Sequence, residues 1–173
     1  MAQVPARALD GFCKSLNRIS EIGIGLLIGA TVAVTFLQVV FRYGLDSSLS
    51  WSEEFSRYAF IWTIFLGSGS AARRGQHMAV DVLRDILPPL PRRCLELSVA
   101  LIGIAFFAVF GYAAVLLTDN AIGQISTALQ IPIAIIYLSA PTGAALTVLH
   151  LVNGVVQAFF GAPLPPEAVR VQS

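Results

Sequence analysis

The sequence predicts an all-α integral membrane protein with four transmembrane helices, preceded by an amphipathic helix at the membrane interface. Three observations carry that expectation. Hydrophobic residues make up 56% of the 173 residues and charged ones only 12%, where a soluble domain holds about a quarter of the latter. Mean hydropathy is +0.76. The apolar residues gather into four long runs, about 22–41, 52–72, 97–117 and 131–157, and most charges fall between them.

Residues 1–21 are expected to form the interfacial segment. Leu9, Phe12, Cys13, Leu16 and Ile19 recur at helical spacing, with Asp10, Lys14, Asn17 and Arg18 elsewhere around the wheel, as in a helix lying on a bilayer. A cleaved signal peptide fits less well, because the next apolar run is too long for a signal core and no small-residue cleavage pattern closes it. From Ile22 to Phe41 about 20 residues carry no charge, enough at 1.5 Å per residue to cross a hydrocarbon core of roughly 30 Å. Gly25, Gly29 and Ala33 repeat there at every fourth position and offer a helix-packing groove.

The second run is the most informative. Ser50 and Glu53 have capping-box spacing, so a helix should begin near Trp51, a preferred interface anchor. Arg57 lies inside the apolar part, four residues after Glu53 and three after Glu54, and could pair with either. From Phe55 to Ala72 about six strongly apolar residues contribute roughly −2 to −4 kcal/mol towards insertion, against about +3 for a mid-bilayer arginine. A segment so weakly inserted, closing in Gly67, Ser68, Gly69, Ser70, Ala71 and Ala72, should be buried among neighbouring helices.

A polar stretch follows, with Arg73, Arg74, His77, Asp81, Arg84 and Asp85, and a short surface helix is expected through Leu83, Ile86, Leu87 and Leu90, broken by Pro88 and Pro89. The third crossing is apolar on all sides. The fourth begins near Ile131; Pro132 suits its first turn, and Pro141 should kink it and free a carbonyl. His150, Asn153 and Gln157 share a face near its end, and residues 161–173 form a proline-rich tail expected to be disordered. Nine lysines and arginines fall on one side of a four-crossing arrangement and two, Arg42 and Arg57, on the other. Both termini should therefore be cytoplasmic.

Composition and motifs also exclude classes. A formal net charge of +1 gives no case for nucleic acid, and Cys13 and Cys94 form no metal or redox motif. Phosphate loops, nucleophile elbows and zinc signatures are absent from the sequence, so no catalytic residue and no enzyme is expected. His77 and His150 as haem ligands are a weaker reading than a loop histidine and a helix-face histidine. Glu21, at the edge of the first crossing, is the one weak carboxylate for a stand-alone four-helix homodimeric carrier.

The run from Trp51 to Leu83, W-S-E-E-F-S-R-Y followed by IWTIFLGSGSAARRGQHMAVDVL, resembles the small membrane subunit of tripartite ATP-independent periplasmic (TRAP) transporters. The matching positions are Trp51, Glu53, Glu54, Arg57, Phe65, Leu66, Gly67, Arg73 or Arg74, Gly75, His77, Val80 and Asp81, and Pro132, Tyr137 and Pro141 match its last helix. The resemblance implies an inner-membrane scaffold that braces a large, sodium-coupled transport subunit for organic anions and helps dock a periplasmic substrate-binding protein. Sodium would then sit in the large subunit, with no cofactor here. Trp51, Glu53, Glu54, Arg57, Gly67, Gly69, Arg73, Arg74, His77 and Asp81 are the expected docking and assembly residues; Gly25, Gly29, Ala33 and Pro141 are expected to serve helix packing.

Overall fold

A computed structural model of the chain describes residues 3–47, 49–74 and 89–160. They form helices α1 (Gln3–Gly44), α2 (Ser50–Arg73), α3 (Pro89–Asn120), α4 (Ala134–Tyr137) and α5 (Ser139–Phe160). Three stretches are long and apolar enough to cross a membrane: Leu9–Gly44, Leu97–Asn120 and Ala134–Gln157. The 24 residues of α2 give about 36 Å at 1.5 Å per residue, long enough by length, but its charges and its glycine-serine run leave it outside that apolar set.

A short turn reverses the chain between α1 and α2. The Leu45 and Ser47 N–H groups both donate to the Phe41 carbonyl, at 3.1 and 3.2 Å, and Asp46 takes a φ of 48°, a conformation that aspartate tolerates better than most residues. The two helices then run antiparallel, with Gly23 opposite Leu66 and Asp10 opposite Arg73. Helix α5 lies parallel to α2, whereas α3 runs antiparallel to α5 through Gly103 against Leu151 and Gly111 against Ala144.

Among the described residues α1 and α3 do not pack on one another. The helices therefore form an open panel in the order α1, α2, α5, α3, with α1 also reaching α5. Half of the apolar centre of Ala134–Gln157 is buried, and none of that of α1, whose buried residues Cys13 and Ser20 lie nearer its start. Ala144, Leu146, Thr147, His150, Leu151 and Asn153, all on α5, are core residues.

The central contact is backbone against backbone. A Cβ added at Gly143 would lie 2.5 Å from the Phe65 carbonyl oxygen, and one at Gly69 would lie 2.9 Å from Leu146 Cβ. The Ser68 and Thr147 hydroxyls meet between these points at 3.3 Å. Small residues at both crossings let the helix axes approach closely enough for such contact.

Three expectations are corrected. No break separates residues 1–21 from the first apolar run: α1 is one helix of 42 residues, because nothing between Leu9 and Ile22 interrupts helix formation and Asp10, Asn17 and Glu21 bond to α2. The capping box does not form; Leu49 is the N-cap without a side-chain bond, and the Ser52 hydroxyl donates to the Leu49 carbonyl at 2.6 Å. The last segment breaks at Leu138 rather than bending within a continuous helix, which puts Pro141 in the first turn of α5, where a missing N–H costs least. The Ser139 and Thr142 hydroxyls donate to the Ile136 and Leu138 carbonyls at 2.6 and 2.7 Å. Of the expected surface helix through Leu83, Ile86, Leu87 and Leu90, the first three residues lie outside the described residues, as does the tail, whereas Leu90 falls in the first turn of α3.

Gly143→Ala should force α2 and α5 apart, since the atoms it meets belong to the Phe65 backbone and Cβ. The expected loss is about 1–3 kcal/mol, read as a lower Tm of the detergent-solubilised protein. Gly25→Ala, where a Cβ meets nothing within 4 Å, should leave that Tm unchanged.

Candidate functional site

The expected assembly residues fall at the two ends of α2 and along one of its faces. At the first end Trp51, Glu53 and Arg57 are exposed while Glu54 is half-buried. Arg57 pairs with neither glutamate. Glu54 turns the other way: its carboxylate accepts from the Thr127 hydroxyl at 2.9 Å and from the Ala128 and Leu129 N–H groups at 3.1 and 2.9 Å.

This latch holds a compact loop. The Ser126 N–H donates to the Ile131 carbonyl and the Ile133 N–H to the Gln124 carbonyl, both at 2.9 Å, with Ile125 bridged to Pro132. Gln130 takes a φ of 55° to close the turn. Glu54 lies ahead of the apolar part of α2, which begins at Phe55.

At the other end Arg73 and Arg74 point to α1. Asp10 accepts from Arg73 Nη2 at 3.3 Å and from Asn153 Nδ2 of α5 at 3.4 Å and pairs with Lys14 at 3.0 Å, so one carboxylate joins three helices. The Ser70 hydroxyl donates to Asn17 Oδ1 at 2.9 Å, Asn17 Nδ2 donates to Glu21 Oε1 at 3.0 Å, and Arg74 Nη2 reaches the same oxygen at 2.6 Å. Cys13 and His150 are buried in the same region. His77 and Asp81 lie outside the described residues.

Between the two ends the small residues divide. Gly69 packs on α5, whereas Gly67 is open and lines a groove of about 410 Å³ with Ser70, Ala71 and Arg74 of α2 and Glu21, Ile24 and Gly25 of α1. Gly25, Gly29 and Ala33 are exposed, and a Cβ at either glycine would meet nothing within 4 Å. Among the described residues the two glycines of that repeat meet no other helix, and Gly143 and Gly23, which were not singled out, make contacts instead. Asp10, Asn17, Thr127 and Asn153 are further residues that the sequence reading missed as partners. For Asp10, Asn17 and Asn153 a polar side chain on a helix was the available signal; Thr127 lies in the loop, where nothing in the sequence singles it out.

A family model for "Tripartite ATP-independent periplasmic transporters, DctQ component" matches residues 31–161. The chain belongs to this family. It is thus a small permease component of a TRAP transporter and a multi-pass protein of the bacterial inner membrane; the family is a transporter component. The small permease TeaB of the ectoine TRAP transporter of Halomonas elongata is 34% identical over 141 residues, 80% of this chain and 72% of that one. A TRAP small permease of Haemophilus influenzae is 41% identical over 81 residues, 47% of this chain and 50% of its own length. The sialic acid small permease SiaQ of Vibrio cholerae is 33% identical over 102 residues, 57% of this chain and 59% of that one. The DctQ match takes in α2, the latched loop and α5, while Asp10, Asn17 and Glu21 precede it.

The two ends make separable predictions. Asp10→Ala should leave a half-buried Arg73 without its carboxylate and lower stability by about 1–2 kcal/mol, while Glu21→Ala, beside a more exposed arginine, should cost less than about 1; chemical unfolding in mild detergent measures both. Glu54→Ala should raise hydrogen exchange at the Ala128 and Leu129 amides at neutral pH.

Proposed function

We propose that this chain is the scaffold subunit of a sodium-coupled TRAP transporter for an organic anion, bracing the large permease and helping to seat the periplasmic substrate-binding protein. Small permeases of the family work with those two partners. The observation that carries the reading is the use made of the polar side chains: the Glu54 latch and the Asp10 node both tie elements of the chain together, and the packed middle joins α2 to α5 through glycines. The chain's chemistry is directed at holding a shape.

All four long helices cross the membrane in this proposal. The bias of lysine and arginine puts both termini and the Arg73 end in the cytoplasm. The latched loop and the exposed Trp51 then face the periplasm, where a soluble component would meet them. Relatives of comparable identity are named for ectoine, sialic acid and C4-dicarboxylates. That spread accords with a subunit that does not itself select the substrate, and sodium binding and substrate choice are assigned to the large permease.

Co-expression with the large permease and binding protein, followed by reconstitution in liposomes, tests the reading. A stable complex whose sodium-dependent anion uptake disappears when this chain is omitted is the expected result; uptake by this chain alone would replace it with the stand-alone carrier. Arg57→Ala or Glu53→Ala should weaken assembly or uptake several-fold while substrate binding by the isolated soluble component, read by calorimetry, stays unchanged.

A further inference from the structure

We infer that the open face of α2, through Glu53, Arg57, Phe60, Ile64, Gly67 and Ala71, seats a transmembrane helix of the large permease, one that brings a carboxylate to the level of Arg57 and small apolar side chains into the groove at Gly67. The inference rests on the scaffold reading above and names the surface that reading requires. These six positions follow one another at intervals of three or four and so share one side of the helix.

Among the described residues that side is largely uncovered. Phe60 is 62% and Ile64 51% exposed, and Glu53 and Arg57 are exposed and make no hydrogen bond or ion pair with described residues. The other open faces differ in kind. Helix α1 presents Leu26, Val32 and Phe36, and α3 presents Ile102, Phe106 and Val109, large apolar side chains that suit lipid tails.

A guanidinium does not suit them. Arg57 lies six residues, about 9 Å, beyond Trp51, and an ionised group at such a depth is stabilised by a counter-charge or a polar partner. The nearest acid on its own face, Glu53, does not reach it, and Glu54 is committed to the loop at 127–129. No described residue supplies the complementary charge, and in this inference a carboxylate on a neighbouring helix does. Deeper along the same face, Gly67 and Ala71 of α2 with Ile24 and Gly25 of α1 wall the groove of about 410 Å³, and a Cβ at either glycine would meet nothing within 4 Å. Walls this low admit the close backbone approach by which helices associate in lipid.

A relative supports the occupant. In the sialic acid TRAP transporter permease protein SiaT of Haemophilus influenzae, the 97 residues that are 29% identical to this chain make up 15% of the polypeptide. There the stretch like this chain is part of one polypeptide with a much longer remainder.

The test places benzoylphenylalanine at Phe60, at Ile64 or, as a control, at Val109 in the tagged chain co-expressed with the large permease. All three positions are exposed, so the fold is preserved. Illumination should give an adduct of the summed mass from Phe60 and Ile64 and none from Val109. Arg57→Glu and Gly67→Leu should each reduce the recovered large permease about tenfold, with Arg57→Lys retaining most of it. Adducts from Val109 alone, or lipid adducts alone from Phe60 and Ile64 with unimpaired recovery in Arg57→Glu, would overturn the assignment of this face and leave the scaffold reading standing. Failure of the unsubstituted chain to co-purify with the large permease would sink the scaffold reading, and this inference with it.

Discussion

Helix α2 is too polar to face lipid on every side, and the architecture answers that constraint. Gly69 and Gly143 remove the side chains that would otherwise keep α5 at a distance, so the two backbones meet at the Phe65 carbonyl. Helix α1 covers a second side, and its polar end pairs with Arg73 and the adjoining Arg74. Once α2 and α5 are joined in parallel, α1 and α3 can attach only at the flanks, which gives an open panel rather than a closed bundle.

The sequence made the apolar helices legible because hydropathy and length are local properties. The runs at 97–117 and 131–157 reappear as Leu97–Asn120 and Ala134–Gln157, and the expectation that a weakly apolar second segment must be buried among neighbours is met on the sides facing α1 and α5. What failed depended on competition between partners. Glu53 and Arg57 have the right spacing to pair, yet an exposed pair gains little, and Glu54 finds three donors in a loop more than seventy residues away. Asp10 read as the polar side of a surface helix; its partners Arg73 and Asn153 lie 63 and 143 residues along the chain, and no periodicity within α1 encodes them. The position of Pro141 was clear, but its effect was not, since a proline can kink a helix or begin one.

The same distinction separates the fold from the site. Glycines at 67 and 69 are alike in the sequence and two residues apart, yet one is pressed against Leu146 and the other is open. A rotation of about 100° per residue puts them on different sides of the helix, and only the location of α5 decides which is which. Gly25 and Gly29, read as a packing groove, stay open among the described residues and so free for a partner, while Gly143, in a segment noted for its proline, makes the tightest approach.

The latch at Glu54 has a consequence for encounter. A free loop of this kind loses on the order of 1 kcal/mol of conformational entropy per residue when a partner orders it. Here folding has already done the ordering, through three hydrogen bonds to one carboxylate. A protein that docks at this end therefore meets a rigid surface, and recognition there resembles the joining of two preformed bodies, with little heat-capacity signature of coupled folding.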